Sequence, residues 1–230
     1  MQLFAAIDFE TASSERNSAC AIGYVIFNHS KIIKKKSYLI KPPKPEVHFT
    51  EIHGLTWDML KKEKTFDKVW RLIKDEILRV DYFFAHNAPF DRSVLYSCCY
   101  HYNIDIPSQE FKDTVILARK YWDFENNKLN TVCKNLRIPL NHHDALSDSK
   151  GCALIAIEAF KKGFSILSAG IIKTEGNYEK GDLIQIIDEN ETFVGKGLTH
   201  FNNSEVELIK GSKSNNIVIS VIHRIWIVFF

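Results

Sequence analysis

Apolar positions are spaced differently in successive stretches of this 230-residue chain, and the spacing predicts its elements. "LFAAI" at 3–7 is a continuous apolar run, as expected of a strand buried on both faces. "ACAIGYVIF" (19–27) and "SYLIKP" (37–42) continue as strands, with Asn28, His29 and Ser30 as the turn between them. In "TFDKVWRLIKDEILR", Phe66, Val69, Trp70, Ile73 and Ile77 recur at helical spacing, and "VDYFFAH" (80–86) then reads as another buried strand. Pro89 suits the first turn of a helix through "FDRSVLYSCCYHY". "DTVILARKYW" carries a helical stripe, "KLNTVCKNLRI" is a short helix stopped by Pro139, and 145–161 is long and amphipathic. Three opening strands followed by helices around one more strand predict an α/β domain, a mixed sheet flanked by helices, over residues 1–162. Beyond Gly163 the runs are short, apolar and split by Gly, Asn and Asp, so residues 163–230 are predicted to form a small β-barrel-like module.

Composition narrows the setting. With 45% hydrophobic and 25% charged residues the chain can bury a full core. A net charge of +2 means that a polyanion must be met by a local patch such as "KIIKKK" (31–36) or "KPPKP" (41–45); solvated hairpin edges explain the same lysines equally well. Five cysteines, two of them adjacent (Cys98, Cys99), form no metal-type pairs and suggest a reducing compartment. The opening "MQLFAAIDFE" has no basic n-region, and His223 and Arg224 interrupt the C-terminal apolar run, which falls short of the ~20 residues of a spanning helix. The expectation is a cytoplasmic protein with no membrane partner.

The candidate chemistry lies in carboxylates. In "AIDFET", Asp8 and Glu10 stand two apart near a strand end, so alternation aims both to one face and Phe9 to the other. Asp91, in "HNAPFDRSVL", and Asp148, in "HHDALSDS", each fall in the first turn of a predicted helix, where the macrodipole favours an acid whether or not it has a further role. Histidines such as His142 and His143 commonly belong to polar turns.

The joint order of these motifs is informative. DFET, then AHNAPFD, then His143 and Asp148 as H-x4-D, with "EIHGLT" (51–56) between, resembles the DEDDh branch of the DnaQ-like 3'-5' exonucleases, which have a ribonuclease H-like fold. The resemblance implies that Asp8, Glu10, Asp91 and Asp148 hold two Mg2+ or Mn2+ ions and that His143 is the catalytic base, with His142 only its neighbour. The chemistry agrees. Phosphodiester hydrolysis needs negative charge stabilised and a water deprotonated, hard divalent ions take oxygen ligands, and an imidazole with a pKa of about 6.5 can move the proton. The resemblance further implies that the termini of DNA or RNA, single-stranded or with 3' overhangs, are gripped by Phe9, Thr11, His53, Leu55 and Asn87; His53 could equally be a turn-capping residue. An alternative reading is a nucleic-acid-binding protein with a non-catalytic exonuclease-like scaffold. No feature of the chain points to a polymerase partner, and oligomeric state is not legible.

The C-terminal stretch resembles the PUA domain of glutamate 5-kinases through "SILSAGI", "EGNYEKGDLI", "DENETFVGKGL" and "IKGSKSNNI", with "VIHRIWIVFF" like that domain's last strand. PUA modules elsewhere bind structured RNA, which the resemblance extends to this module as an expectation. The usual first strand is missing or replaced by the preceding helix (152–161), residues between Ile217 and Val221 are shortened, and Ile225 stands where the kinases carry an acid, so the resemblance does not carry over a closed barrel. An uncovered "IWIVFF" would be an aggregation-prone edge, so this strand is expected to be packed.

Overall fold

The computed structural model describes residues 2–163, 166–167, 171, 173–187, 193–209 and 220–226, which fall into two compact units, Met1–Ala159 and Phe160–Phe230. In the first unit, β1 (Phe4–Thr11), β2 (Ala19–Phe27) and β3 (Ile32–Leu39) form an antiparallel meander. The Asn28 side-chain carbonyl closes the β2–β3 turn by accepting the N–H groups of Ser30 and Lys31, both at 2.9 Å. Two short helices, α1 (Thr50–His53) and α2 (Trp57–Leu60), precede α3 (Phe66–Ile77), after which β4 (Tyr82–Ala85) joins β1 in parallel. Then follow α4 (Ala88–His101), β5 (Glu110–Asp113) parallel to β4, α5 (Thr114–Tyr121), α6 (Leu129–Asn135) and α7 (Ala145–Gly163). The five-stranded mixed sheet has the order β3-β2-β1-β4-β5.

The apolar run of β1 is buried on both faces, from Phe4 to Ile7 at no more than 2% exposure. Ala5, Ile7 and Phe9 of β1 with Ile22, Tyr24 and Ile26 of β2 meet the stripe Phe66, Val69, Trp70, Ile73 and Ile77 of α3 and Val94, Leu95 and Cys98 of α4. Burying a stripe of this kind, at roughly 1.5–3 kcal/mol per large apolar side chain, fixes the strands that carry the acids. A smaller cluster joins Ala118, Leu129, Val132, Cys133 and Ile155 of α5, α6 and α7. β5 was not anticipated: "EFKD" is a four-residue edge strand of three charged residues and one ring, without an apolar run. The third strand lies earlier than "SYLIKP" suggests and includes most of the lysine run, the hairpin-edge alternative for those residues.

In the second unit, β6 (Ile166–Leu167), β7 (Leu183–Ile187), β8 (Phe193–Thr199) and β9 (Ser220–Trp226) form an antiparallel sheet in the order β6-β9-β8-β7. A helix, α8 (Asn203–Ile209), places Val206 against Ile171, Tyr178, Ile184, Ile186 and Phe201. Of the terminal "IWIVFF", Ile225 and Trp226 lie in β9, where they pair with Gly197 and Lys196 of β8; residues 227–230 lie outside the described residues. Among the described residues no helix is long and apolar enough to cross a membrane.

Candidate active site

Strand alternation does to β1 what its sequence predicts. Phe9 turns into the core, 3% exposed, while Asp8 and Glu10 face the other side. Asp8 pairs with Gly23 on β2, and the register slips between Glu10 and Thr11, a bulge of the kind that re-aims side chains at strand ends. A methyl group built on Gly23 would lie 2.0 Å from the carbonyl oxygen of Ala145. The first turn of α7 thus rests directly on β2, and this close approach carries Asp148 over Asp8. One carboxylate oxygen from each of Asp8, Glu10 and Asp148 falls within 4.8 Å of the others.

Asp91 stands beside this set rather than in it. It is 2% exposed, and its Oδ1 accepts the Phe9 N–H at 3.0 Å, which ties α4 to β1. The start of α4 is itself held by Asp113, which caps α5 by accepting the Val115 N–H (2.8 Å) and also accepts the N–H groups of Asn87 (3.1 Å) and Ala88 (3.2 Å). Asn87 sits at φ 68°, a left-handed conformation that asparagine tolerates. His86 donates from Nε2 to the Asn127 carbonyl (2.8 Å), leaving Nδ1 to face the Thr114 hydroxyl (2.9 Å).

The two histidines occupy the rim. His143, at φ 68°, donates its backbone N–H to Asp148 Oδ2 (3.1 Å), while His142 Nδ1 lies 2.8 Å from the same oxygen. Their rings stack with centroids 3.9 Å apart, so His142 is closer to the acid set than its motif spacing suggests. Asp148 Oδ1 is buried and has no hydrogen-bond partner. A buried carboxylate oxygen left without a donor costs on the order of 1–3 kcal/mol, which a cation can offset.

The electrostatics follow from the crowding. Burial raises Asp8 well above the usual carboxylate range, and Asp91, Asp148 and Glu10 raise it further. Glu10 is pushed up to about 8 by burial and by Asp148, Asp91 and Asp144. Asp91 is also raised by burial, against the opposing hydrogen bond from Phe9. Partial burial and the neighbouring His142 lower His143, with Asp148 opposing, so its imidazole is neutral near pH 7.

The residues expected to touch substrate are placed as follows. The Phe9 ring is in the core, leaving only its backbone at the site, and Thr11 is 7% exposed. His53 accepts the Leu55 N–H at Nδ1 (3.0 Å), so Nε2 carries the proton and donates to the Thr11 carbonyl (3.2 Å). His53 therefore ties the 50–55 turn to the end of β1 and presents only its ring face. Leu55 packs with Leu39 and Val47 against Ala12, Cys20 and Leu60, and Asn87 is exposed. Sequence reasoning passed over Gly23, His86 and Asp113, and set His142 aside as a mere neighbour of the base. His86 lay inside the quoted motif and Asp113 has the signal of a helix N-cap; the role of Gly23 has no local signal.

The RNase T exonuclease family model matches residues 5–156, and the PUA domain model matches residues 155–220. A segment of the DNA polymerase III PolC-type protein of Listeria welshimeri is 30% identical over 163 residues, 69% of this chain and 11% of that protein. The glutamate 5-kinase of Aquifex aeolicus is 36% identical over 87 residues, 36% of this chain and 24% of the kinase. The chain thus spans a quarter or less of these curated relatives. Among solved structures, exonuclease X in complex with 5' overhanging duplex DNA superposes with a TM-score of 0.57 at 23% identity, covering 70% of this chain and 92% of the other. A 3'-exonuclease with 3'-end specific recognition of a histone mRNA stem-loop superposes with a TM-score of 0.60 at 19% identity, over 70% and 83%. An acid set on β1 and α7 in a ribonuclease H-like sheet, with a family match across more than half the residues, identifies this chain as a member of the RNase T exonuclease family joined to a PUA domain.

Proposed function

We propose that the chain is a metal-dependent 3'-5' exonuclease that shortens DNA or RNA from the 3' end and releases nucleoside 5'-monophosphates. The observation that carries this reading is the partnerless, buried Oδ1 of Asp148 beside Asp8 and Glu10, whose own carboxyls burial and neighbouring acids raise above the usual range. Such a donor set, all oxygen and strongly anionic, fits Mg2+ or Mn2+. Asp8, Glu10 and Asp148 would hold the ions, two in number, with Asp91 alongside. When bound, the ions supply charge neutralisation at the phosphate and acidify water.

The residues of the chain do the rest. His143 takes the proton of the attacking water on an unprotonated ring nitrogen, which its lowered pKa keeps available near neutrality. The water oxygen bonds to phosphorus, the bond to the 3'-oxygen breaks, and that oxygen leaves and takes a proton from solvent, to which His143 later returns its own. His142 steadies Asp148 through Oδ2. Phe9 and Thr11 backbone, Leu55, the His53 ring face and Asn87 line the approach of a terminal nucleotide on a single strand or 3' overhang. The 3' polarity rests on likeness to 3'-exonucleases, and the match to the PUA model supports RNA as a partner.

The test is digestion of a 5'-labelled oligonucleotide with Mn2+ and with EDTA. A metal-dependent ladder shortening from the 3' end with 5'-monophosphate products is expected. Internal cuts, 5' shortening, or full activity in EDTA overturns the reading. His143→Ala should lower turnover by about 100-fold or more, and His142→Ala by less.

A further inference from the structure

The loop 12–18 leaves the end of β1 and runs past the outer face of α4. It is a fixed turn: the Ala12 N–H donates to the Ser18 carbonyl (2.8 Å), and the Ser18 hydroxyl lies 3.1 Å from the Ser13 carbonyl and 2.6 Å from that of Glu15. The turn presents Arg16 and Asn17 to the helix. The Arg16 guanidinium lies 4.5 Å from the centre of the Phe90 ring, and Asn17 Nδ2 donates to His101 Nδ1 at 3.2 Å. His101 Nε2 therefore carries the ring proton. Between loop and helix opens a cleft of about 680 Å³ walled by Arg16, Asn17, Tyr96, Tyr100, His101 and Ile106.

The core accounts for the other side of α4, where Val94, Leu95, Cys98 and Cys99 are buried; it does not account for this side. Tyr100 is 88% exposed, a large ring left in water. A guanidinium held over an aromatic ring keeps N–H donors that can meet phosphate. No carboxylate lines the cleft among the described residues. Exposed rings beside a cationic fork are the means by which proteins hold single strands without reading sequence. Distance agrees too: nine residues of helix from Asp91 to Tyr100 rise about 13 Å, the length of about four stacked nucleotides at ~3.4 Å each.

We propose that this cleft binds single-stranded nucleic acid a few nucleotides upstream of the 3' end, with Tyr100 stacking on a base and Arg16 contacting a phosphate. The position relative to the 3' end rests on the exonuclease reading above; the binding itself does not. The test measures Kd in EDTA, where nothing is cut, for fluorescein-labelled single strands of about twelve nucleotides, as DNA and as RNA, and for a labelled dinucleotide. In Tyr100→Ala and Arg16→Ala the longer strand should bind about 5- to 150-fold more weakly, and the dinucleotide as in the wild type. Both side chains are on the surface, so circular dichroism should show both variants folded. Wild-type affinity of both variants for the longer strand assigns the cleft to another occupant, such as a peptide, and overturns the proposal, as does equal weakening for both ligands or failure of the wild type to bind the longer strand. A wild type that binds through Tyr100 but hydrolyses nothing with Mn2+ supports the cleft and refutes the exonuclease.

Discussion

Glu10 and Glu76 are the same side chain in the same unit, and their acidities move in opposite directions. Glu76, on α3, is partly buried, which alone would raise it, but hydrogen bonds from Lys34 and Lys36 hold it below the usual range, and the Tyr24 hydroxyl also donates to it. Glu10 meets burial and three carboxylates with no cation, and rises to about 8. Where the chain supplies the opposite charge, the cluster is structural and belongs to the fold. Where it gathers like charges into a dry place, each pair at 4 Å costs about 4 kcal/mol at an effective dielectric near 20, and the fold bears this only if something outside the chain relieves it. The first arrangement accounts for two lysines of "KIIKKK" as a hairpin edge; the second marks the site.

The comparison breaks most plainly at Asp8. Asp8→Asn should lower nuclease turnover by about a thousandfold or more, while the melting temperature in EDTA at pH 8 stays level or rises because a crowded charge is gone. A variant that is active, or that melts well below the wild type, would place Asp8 with the structural charges.

Gly23→Ala is next. A methyl group has to displace the backbone of α7, so stability should drop by about 1–3 kcal/mol and turnover by more than the stability loss explains, since Asp148 moves from Asp8. Thermal melts beside turnover at a temperature where the variant is folded check this; wild-type turnover would show that α7 can sit elsewhere.

The two clusters should also separate by pH. Asp8, Glu10 and Asp91 have folded values raised above the ordinary 3.8–4.5, so the stability they contribute is full below about pH 4 and is lost as pH rises through about 8. In EDTA the protein should lose melting temperature from pH 5 to pH 8, and Mn2+ should restore more at pH 8 than at pH 5. Equal restoration at both would count against a site made of these acids. Glu76 has the opposite sign: its contribution is present above about pH 4.5 and lost below. Being partly exposed, it is small, so Glu76→Gln should cost under about 1 kcal/mol near neutrality, read from urea midpoints, and leave turnover unchanged.

Much of this was legible in the chain itself. The unbroken apolar run of β1 fixed a doubly buried strand, its alternation put Asp8 and Glu10 on one side, and the helical stripe of α3 appeared residue for residue. What was hidden depends on contacts distant in sequence. β5 has the composition of a surface segment and becomes a strand only because β4 lies beside it. The place of His142 is set by a left-handed residue at 143 that folds the loop back on Asp148. Gly23 looks like any glycine in a strand until α7, more than a hundred residues later, comes down on it. α8 interrupts what reads as successive short β-runs because Val206 completes the small core of the second unit.

The five cysteines are all free and buried, and burial pushes their thiols up: Cys20, Cys98 and Cys133 to about 12, Cys99 to about 11, Cys152 well above the normal value. Alkylating reagents react with thiolate, so none should be modified until its surroundings come apart. The chain therefore carries built-in clocks for local breathing on β2, α4, α6 and α7. The one at Cys152, whose acidity feels both Asp8 and Asp91, would time how fast the floor beneath the acids opens when divalent ions are stripped away.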